Sequence, residues 1–375
     1  MNGNLRVGNL FGIPFFVHVS WFFVLALVTF NFGSGLFAQF PWLGGQAWLL
    51  GLVAGLLLFG SVLLHELGHS FAARQQGIGV NSITLFLFGG LASLEDEAET
   101  PAGAFWIAIA GPLVSLILFA ALSLVLTSSW ITGPMAAIVG LLAYINLTLA
   151  LFNLIPGLPL DGGNVLKAIV WKVTGNQYRG VRWASRMGQG IGWMAIALSI
   201  LAILGLSPVG SFWTLIVGWF LLQNASQIAQ AANIQELLLG LTATDAVVPD
   251  SPTVSADKTL RELADIAVMA SSTGQWQRFL VHGEEDQLIG TVQLAMLRTI
   301  PAEQWAEYQV RDFVQPIAPS GQVQANEPLL AVMAQLDQQG TQALAVTQSN
   351  GELVGLLEKA QIISLLQQKA QSQPA

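Results

Sequence analysis

Cysteine is absent from the 375 residues, which excludes disulfides and thiolate metal sites alike. Charge is sparse as well: Asp, Glu, Lys and Arg make up 10% of the chain, against 53% hydrophobic residues. Fourteen basic residues face twenty-two acidic ones, so there is no basic patch of the kind nucleic-acid binding requires. Histidine is scarce, with four in all. That scarcity makes the close spacing of two of them, His65 and His69, informative.

The few charges divide the chain. Residues 1–240 hold seven Lys/Arg and seven Asp/Glu among long apolar runs, whereas 241–375 hold seven basic and fifteen acidic residues and carry the whole net charge of −8. The first part reads as membrane and the second as an acidic soluble domain. Runs near 17–37, 48–73, 103–126, 135–155, 188–206 and 212–228 each have the length of a bilayer-crossing helix. The run from Val17 to about Phe37 follows a single basic residue, Arg6, and no small-residue cleavage site closes it, so it reads as a retained first span. The expected fold is a membrane all-α bundle of six transmembrane helices with a small strand or re-entrant element, followed by a soluble α/β part. Arg6, Arg74, Lys167, Lys172, Arg179, Arg182 and Arg186 all fall in the N-terminal segment or after spans two and four. The positive-inside rule then puts both termini in the cytoplasm of a multi-pass protein, in a bacterial-type cell membrane.

Near the end of span two stands His65-Glu66-Leu67-Gly68-His69. Histidines four apart share one helix face, and the glutamate between them can reach a water on a metal they hold. Chance alone would produce the pattern in roughly one of a thousand chains of this composition. Span four ends in Asn153-Leu-Ile-Pro156-Gly-Leu-Pro159-Leu-Asp161-Gly162-Gly163, where two prolines and the glycines must break the helix. Spans two and four run in the same direction, so Asp161 is expected on an irregular segment level with the two histidines. Two imidazoles, a carboxylate and an open position form the donor set of a catalytic zinc. Asp161 alone would equally suit a turn, since D-G-G is turn chemistry. A pair of histidines hydrogen-bonding neighbouring helices is the corresponding plain reading of His65 and His69.

His-Glu-Leu-Gly-His on span two, with N-x-x-P-x-x-P-x-D-G-G closing span four, resembles the site-2 protease family of intramembrane zinc metalloproteases. The resemblance covers roughly residues 10–230 and includes Gly12-Ile13-Pro14, Val17-His18-x-Ser20-Trp21, Phe88-Gly89-Gly90 and Gly111-Pro112. It implies one zinc per chain on His65, His69 and Asp161, with Glu66 as the catalytic carboxylate and Asn153 contacting substrate or oxyanion. His18, at the start of span one, suits an interfacial or interhelical hydrogen bond better than catalysis. Ile83-Thr-Leu-Phe-Leu-Phe88 reads as a strand whose edge could receive an unwound substrate segment, or else as a re-entrant loop that packs the bundle. The acidic run Glu95–Glu99 reads as a solvated loop.

The soluble part contains an internal repeat. Thr244-Asp245-Ala-Val, Phe279-Leu-Val-His282 and Gly290 recur as Arg311-Asp312-Phe-Val, Leu344-Ala-Val-Thr347 and Gly355, offset by 67 residues at the aspartates and 65 at the glycines. This resembles a tandem pair of CBS domains at 241–375, with repeats at about 241–305 and 308–370. Such pairs often bind adenine nucleotides, dimerise, and regulate the domain they adjoin. The usual hydroxyl three residues after the glycine and the ribose aspartate six after it are replaced here by Gln293 and Met296, and by Glu358 and Gln361. His282 reads as ordinary strand surface.

The resemblance implies an endopeptidase that cuts membrane-spanning segments of tethered partner proteins within the bilayer, as in regulated intramembrane proteolysis. A CBS-regulated transporter or channel is the alternative, in which His65, Glu66, His69 and Asp161 would line an ion path.

Overall fold

The structure is a computed structural model and describes residues 3–87, 89–128, 130–247, 253–270, 278–283, 288–315, 321–348 and 353–372. It forms two compact units, Met1–Ala232 and Asn233–Ala375.

The first unit opens with strands β1 (Asn4–Leu10) and β2 (Ile13–His18), and then helices α1 (Val19–Gln39) and α2 (Gln46–Arg74). Strands β3 (Val80–Phe86) and β4 (Gly89–Leu94) come next, then α3 (Pro101–Thr127), α4 (Gly133–Asn153), α5 (Asp161–Thr174), α6 (Gln177–Ile203) and α7 (Phe212–Leu238), which runs on past Ala232. Among the described residues α1, α2, α3, α4 and α6 are long and apolar enough to cross a membrane. The length of α7 would suffice, but Gln223, Asn224, Gln227 and Gln230 make its second half polar.

Helix ends follow local chemistry. Thr100 accepts the Gly103 N–H ahead of Pro101 at the start of α3. Gly175, in the left-handed conformation, stops α5, and Asn176 then caps α6 by accepting the Arg179 N–H. Helix α6 therefore begins about a dozen residues before the apolar run near 188, because its first turns are amphipathic and do not register as hydrophobic length.

The strands form one sheet in the order β1-β2-β3-β4. Its first hairpin, β1–β2, extends the strand element well beyond the single run expected near 83–88. Strand β3 lies between β2, to which it is parallel, and β4, to which it is antiparallel. The expectation of a free edge at Ile83–Phe88 is therefore corrected: both sides of β3 are paired, the sheet's outer strands are β1 and β4, and Phe88 lies outside the described residues. A strand can be recognised from its own residues, but its neighbours come from distant segments.

Between α4 and α5 the backbone of 154–160 folds back on the first turn of α5. A Cβ on Gly163 would stand 2.3 Å from the Leu158 nitrogen, so the glycine permits this approach. Leu158 N–H donates to the Ala184 carbonyl of α6 at 3.1 Å, and Leu158, Val181 and Ala184 share one small core. Asp161 is the first residue of α5 rather than part of the irregular stretch, which ends one residue earlier.

The second unit contains α8 (Ala243–Ala246), β5 (Thr253–Ser255), α9 (Leu260–Ala270), β6 (Arg278–His282), β7 (Leu288–Gln293), β8 (Gln322–Gln324), α10 (Leu329–Gln339), β9 (Ala343–Thr347), β10 (Leu353–Glu358) and α11 (Lys359–Ser372). Two matching three-stranded sheets result, β5-β6-β7 and β8-β9-β10, each with one parallel and one antiparallel pairing. Each backs a separate core, one built on Leu260, Phe279 and Val292 and the other on Leu329, Val346 and Leu357. The repeated aspartates play matching parts, since Asp245 and Asp312 each close a capping box.

Candidate metal centre

The spacing on α2 puts His65 and His69 on one face, one turn apart, and the α4–α5 elbow brings Asp161 to them. Asp161 Oδ2 lies 3.1 Å from His65 Nε2 and 3.4 Å from His69 Nε2, and the two Nε2 atoms are 3.3 Å apart. These three residues are positioned to hold a metal ion, with their donor atoms all within 4.8 Å of one another.

The remaining ring nitrogens are already engaged. His69 Nδ1 donates to the Ile107 carbonyl at 2.7 Å, and His65 Nδ1 bonds the fully buried Ser115 hydroxyl at 2.9 Å, both on α3. Partners on Nδ1 orient each ring so that Nε2 faces inward as the ligand atom. Two imidazole nitrogens and one carboxylate oxygen, without thiolates, fit zinc.

Helix α3 approaches His69 at Gly111, where a Cβ would stand 2.2 Å from Nε2. Pro112, next in the chain, sits inside the helix. The mid-helix Gly-Pro pair was the sequence signal for this approach, whereas Ser115 and the Ile107 carbonyl carried none.

Glu66 lies between the two histidines in sequence, beside the cluster of His65, His69 and Asp161, and packs against the sheet. A Cβ on Gly90 would stand 2.4 Å from Glu66 Cγ, and the Ala92 N–H donates to the Glu66 carboxylate. Glu66 thus packs against β4, an outer strand of the sheet among the described residues. Asn153, the last residue of α4, brings Nδ2 to 3.4 Å from His65 Nε2. His18 is elsewhere: it caps α1, its Nδ1 accepting the Ser20 N–H at 3.2 Å. His282 lies in β6, in the other unit.

Residues 53–133 and 128–195 match Peptidase family M50. A relative from Synechocystis, provisionally named a zinc metalloprotease, is 54% identical over 371 residues, covering 99% of this chain and 97% of that protein. Among solved structures, the site-2 protease from Methanocaldococcus jannaschii is similar over 60% of this chain and 95% of its own, at 28% identity and a TM-score of 0.44. The CBS domain of a bacterial CNNM/CorC-family Mg2+ transporter is similar over 38% of this chain and 88% of its own, at 17% identity and a TM-score of 0.32. The protease names of the family and of the full-length relative give the transporter or channel alternative no support.

Proposed function

The chain belongs to peptidase family M50, the site-2 proteases, and on that premise we propose how its residues divide the work. It is an intramembrane zinc endopeptidase whose substrates are membrane proteins. His65, His69 and Asp161 hold the zinc, Glu66 is the acid–base carboxylate, and Asn153 serves the substrate carbonyl. The convergence of the three donor atoms, beside a glutamate packed against β4, carries this reading.

A zinc ion held by His65, His69 and Asp161 would supply Lewis-acid activation of a water and of the scissile carbonyl. Glu66 takes the proton from the attacking water and returns it to the leaving amine, and the Ala92 N–H keeps its carboxylate aimed. The Asn153 amide donates to the oxyanion as it forms, from the same level as His65. A membrane-spanning helix has its carbonyls bonded internally, so it must unwind before attack. The free edge of β4 supplies replacement backbone bonds and sets the extended segment beside Glu66.

The membrane part is read as six spans, α7 being the sixth, with both termini cytoplasmic. The basic residues of α5, of the first half of α6 and of the end of α2 support this. Residues 241–375 are read as a CBS-like regulatory tandem on the strength of the duplicated sheets and capping boxes. Gln293, Met296, Glu358 and Gln361 stand where such pairs carry the residues for a nucleotide's ribose, which favours dimerisation or a structural role as much as nucleotide binding.

The test is Glu66→Gln in the full chain, co-expressed with a membrane-spanning substrate. Zinc should be retained and cleavage lost; cleavage at the wild-type rate would remove Glu66 from the reaction.

A further inference from the structure

Outside the metal centre, one polar cluster joins two parts of the site that the chain leaves unconnected. Glu97, three residues beyond the end of β4, accepts from Lys167 Nζ at 2.8 Å and from Gln177 Nε2 at 2.5 Å, both on its Oε2. Lys167 lies on α5, six residues or about 9 Å along the axis from Asp161. Gln177 is the first residue of α6. Strand β4 and helix α5 both reach the site: one bears against Glu66 at Gly90, the other begins with Asp161. They converge on the metal centre at one end, and Glu97 ties them together at the other.

The tie is built to come undone. The glutamate side chain is 65% exposed and the lysine 15%, so their attraction is partly screened and weak. The connection is fixed on either side of Glu97, at Glu95 by its N–H to the Gly79 carbonyl and at Thr100 by the cap of α3. Residues 96–99 between these anchors lie outside any helix or strand. The Glu97 side chain can turn away from Lys167 and Gln177 while Ala98 stays packed on the core beneath the sheet.

We propose that Glu97 is a clasp at the far end of the substrate groove: an extended segment is admitted along the free edge of β4 only while the Glu97–Lys167–Gln177 contacts are broken. This rests on the reading of β4 as the substrate edge. Glu97 is a positioning residue that acts through access and touches no reacting atom.

The absence of native cysteine makes a direct test clean. The double variant Glu97→Cys, Lys167→Cys in the full chain is joined by a short, reducible bis-thiosulfonate linker, and cleavage of a membrane-spanning substrate is followed with zinc content. The linked protein should cleave at least tenfold more slowly with its zinc retained, and reduction should restore the rate. Linked protein that cleaves within twofold of its reduced form overturns the proposal. A second measurement needs no linker: Glu97→Ala should raise kcat/KM several-fold at low salt and remove the rise that added salt gives the wild type. A fall in kcat/KM, or an unchanged salt response, also overturns it. Loss of cleavage by Glu66→Gln in the reduced double variant separates these outcomes from failure of the protease reading itself.

Discussion

Gly111 and His69 stand so close that no side chain could come between them: a methyl at Gly111 would lie 2.2 Å from the imidazole Nε2. Gly111→Ala should therefore push the ring out of the donor set. An affinity loss of about 10- to 100-fold for zinc is expected, the usual scale for disturbing a ligand's support. Chelator competition on the purified chain measures it. Gly140→Ala, on α4, where a Cβ meets nothing nearer than 3.9 Å, should leave zinc affinity unchanged.

Ser115 offers a milder test of the same idea. Its hydroxyl is the partner of His65 Nδ1 and is fully buried, so Ser115→Ala removes the ring's orientation without removing a ligand. Zinc affinity should fall by about tenfold. An unaltered affinity would mean that packing alone fixes His65.

The contact between Glu66 and β4 makes a separate prediction. Ala92 offers its N–H to the Glu66 carboxylate, so proline there removes that donor. Ala92→Pro should cut cleavage of a membrane-spanning substrate at least tenfold with full zinc occupancy. Cleavage near the wild-type rate would mean that this N–H has no part in aiming Glu66.

Stability of the soluble unit should depend on pH through Glu358. Burial pushes its carboxyl above the usual carboxylate range, and Arg278 offsets part of that rise. The folded form therefore holds the proton more tightly than the unfolded chain. Stability is greatest below the ordinary carboxylate range and declines as pH rises through the raised value. One carboxylate oxygen, Oε1, is buried without a hydrogen-bond partner among the described residues. Glu358→Gln should stabilise this unit at pH 8, on the order of 1 kcal/mol, and make little difference at pH 4. Urea titration of the full chain, read by pulse proteolysis of residues 241–375, checks both signs.

Much of the metal centre was legible in the sequence because its chemistry is local. His65 and His69 follow from helical spacing, and Asp161 follows from a helix broken by Pro156 and Pro159 at a matching depth. The repeat in 241–375 could be read from Asp245 and Asp312 because it recurs at a fixed interval. Relations between distant segments were not legible. Whether β3 or β4 is the outer strand depends on β2, about 65 residues earlier, and Ser115 is paired with a histidine 50 residues away. The β1–β2 hairpin was overlooked although Leu5, Val7 and their polar neighbours alternate as a strand should. Glu97 looked like part of a solvated acidic run, since nothing local distinguishes a glutamate that meets Lys167.

The elbow at 154–160 has a mechanical consequence. Two of the metal's donors ride on α2, but the third opens α5, directly after a bend whose Leu158 is pinned to Ala184 of α6. Tension on α6 would reach the carboxylate through that bend, and the imidazoles only by way of α3. The grip on the ion can thus be loosened from one side while the rest of the bundle stays intact, so a protease that cuts inside the bilayer could be throttled by a small pull on a single helix.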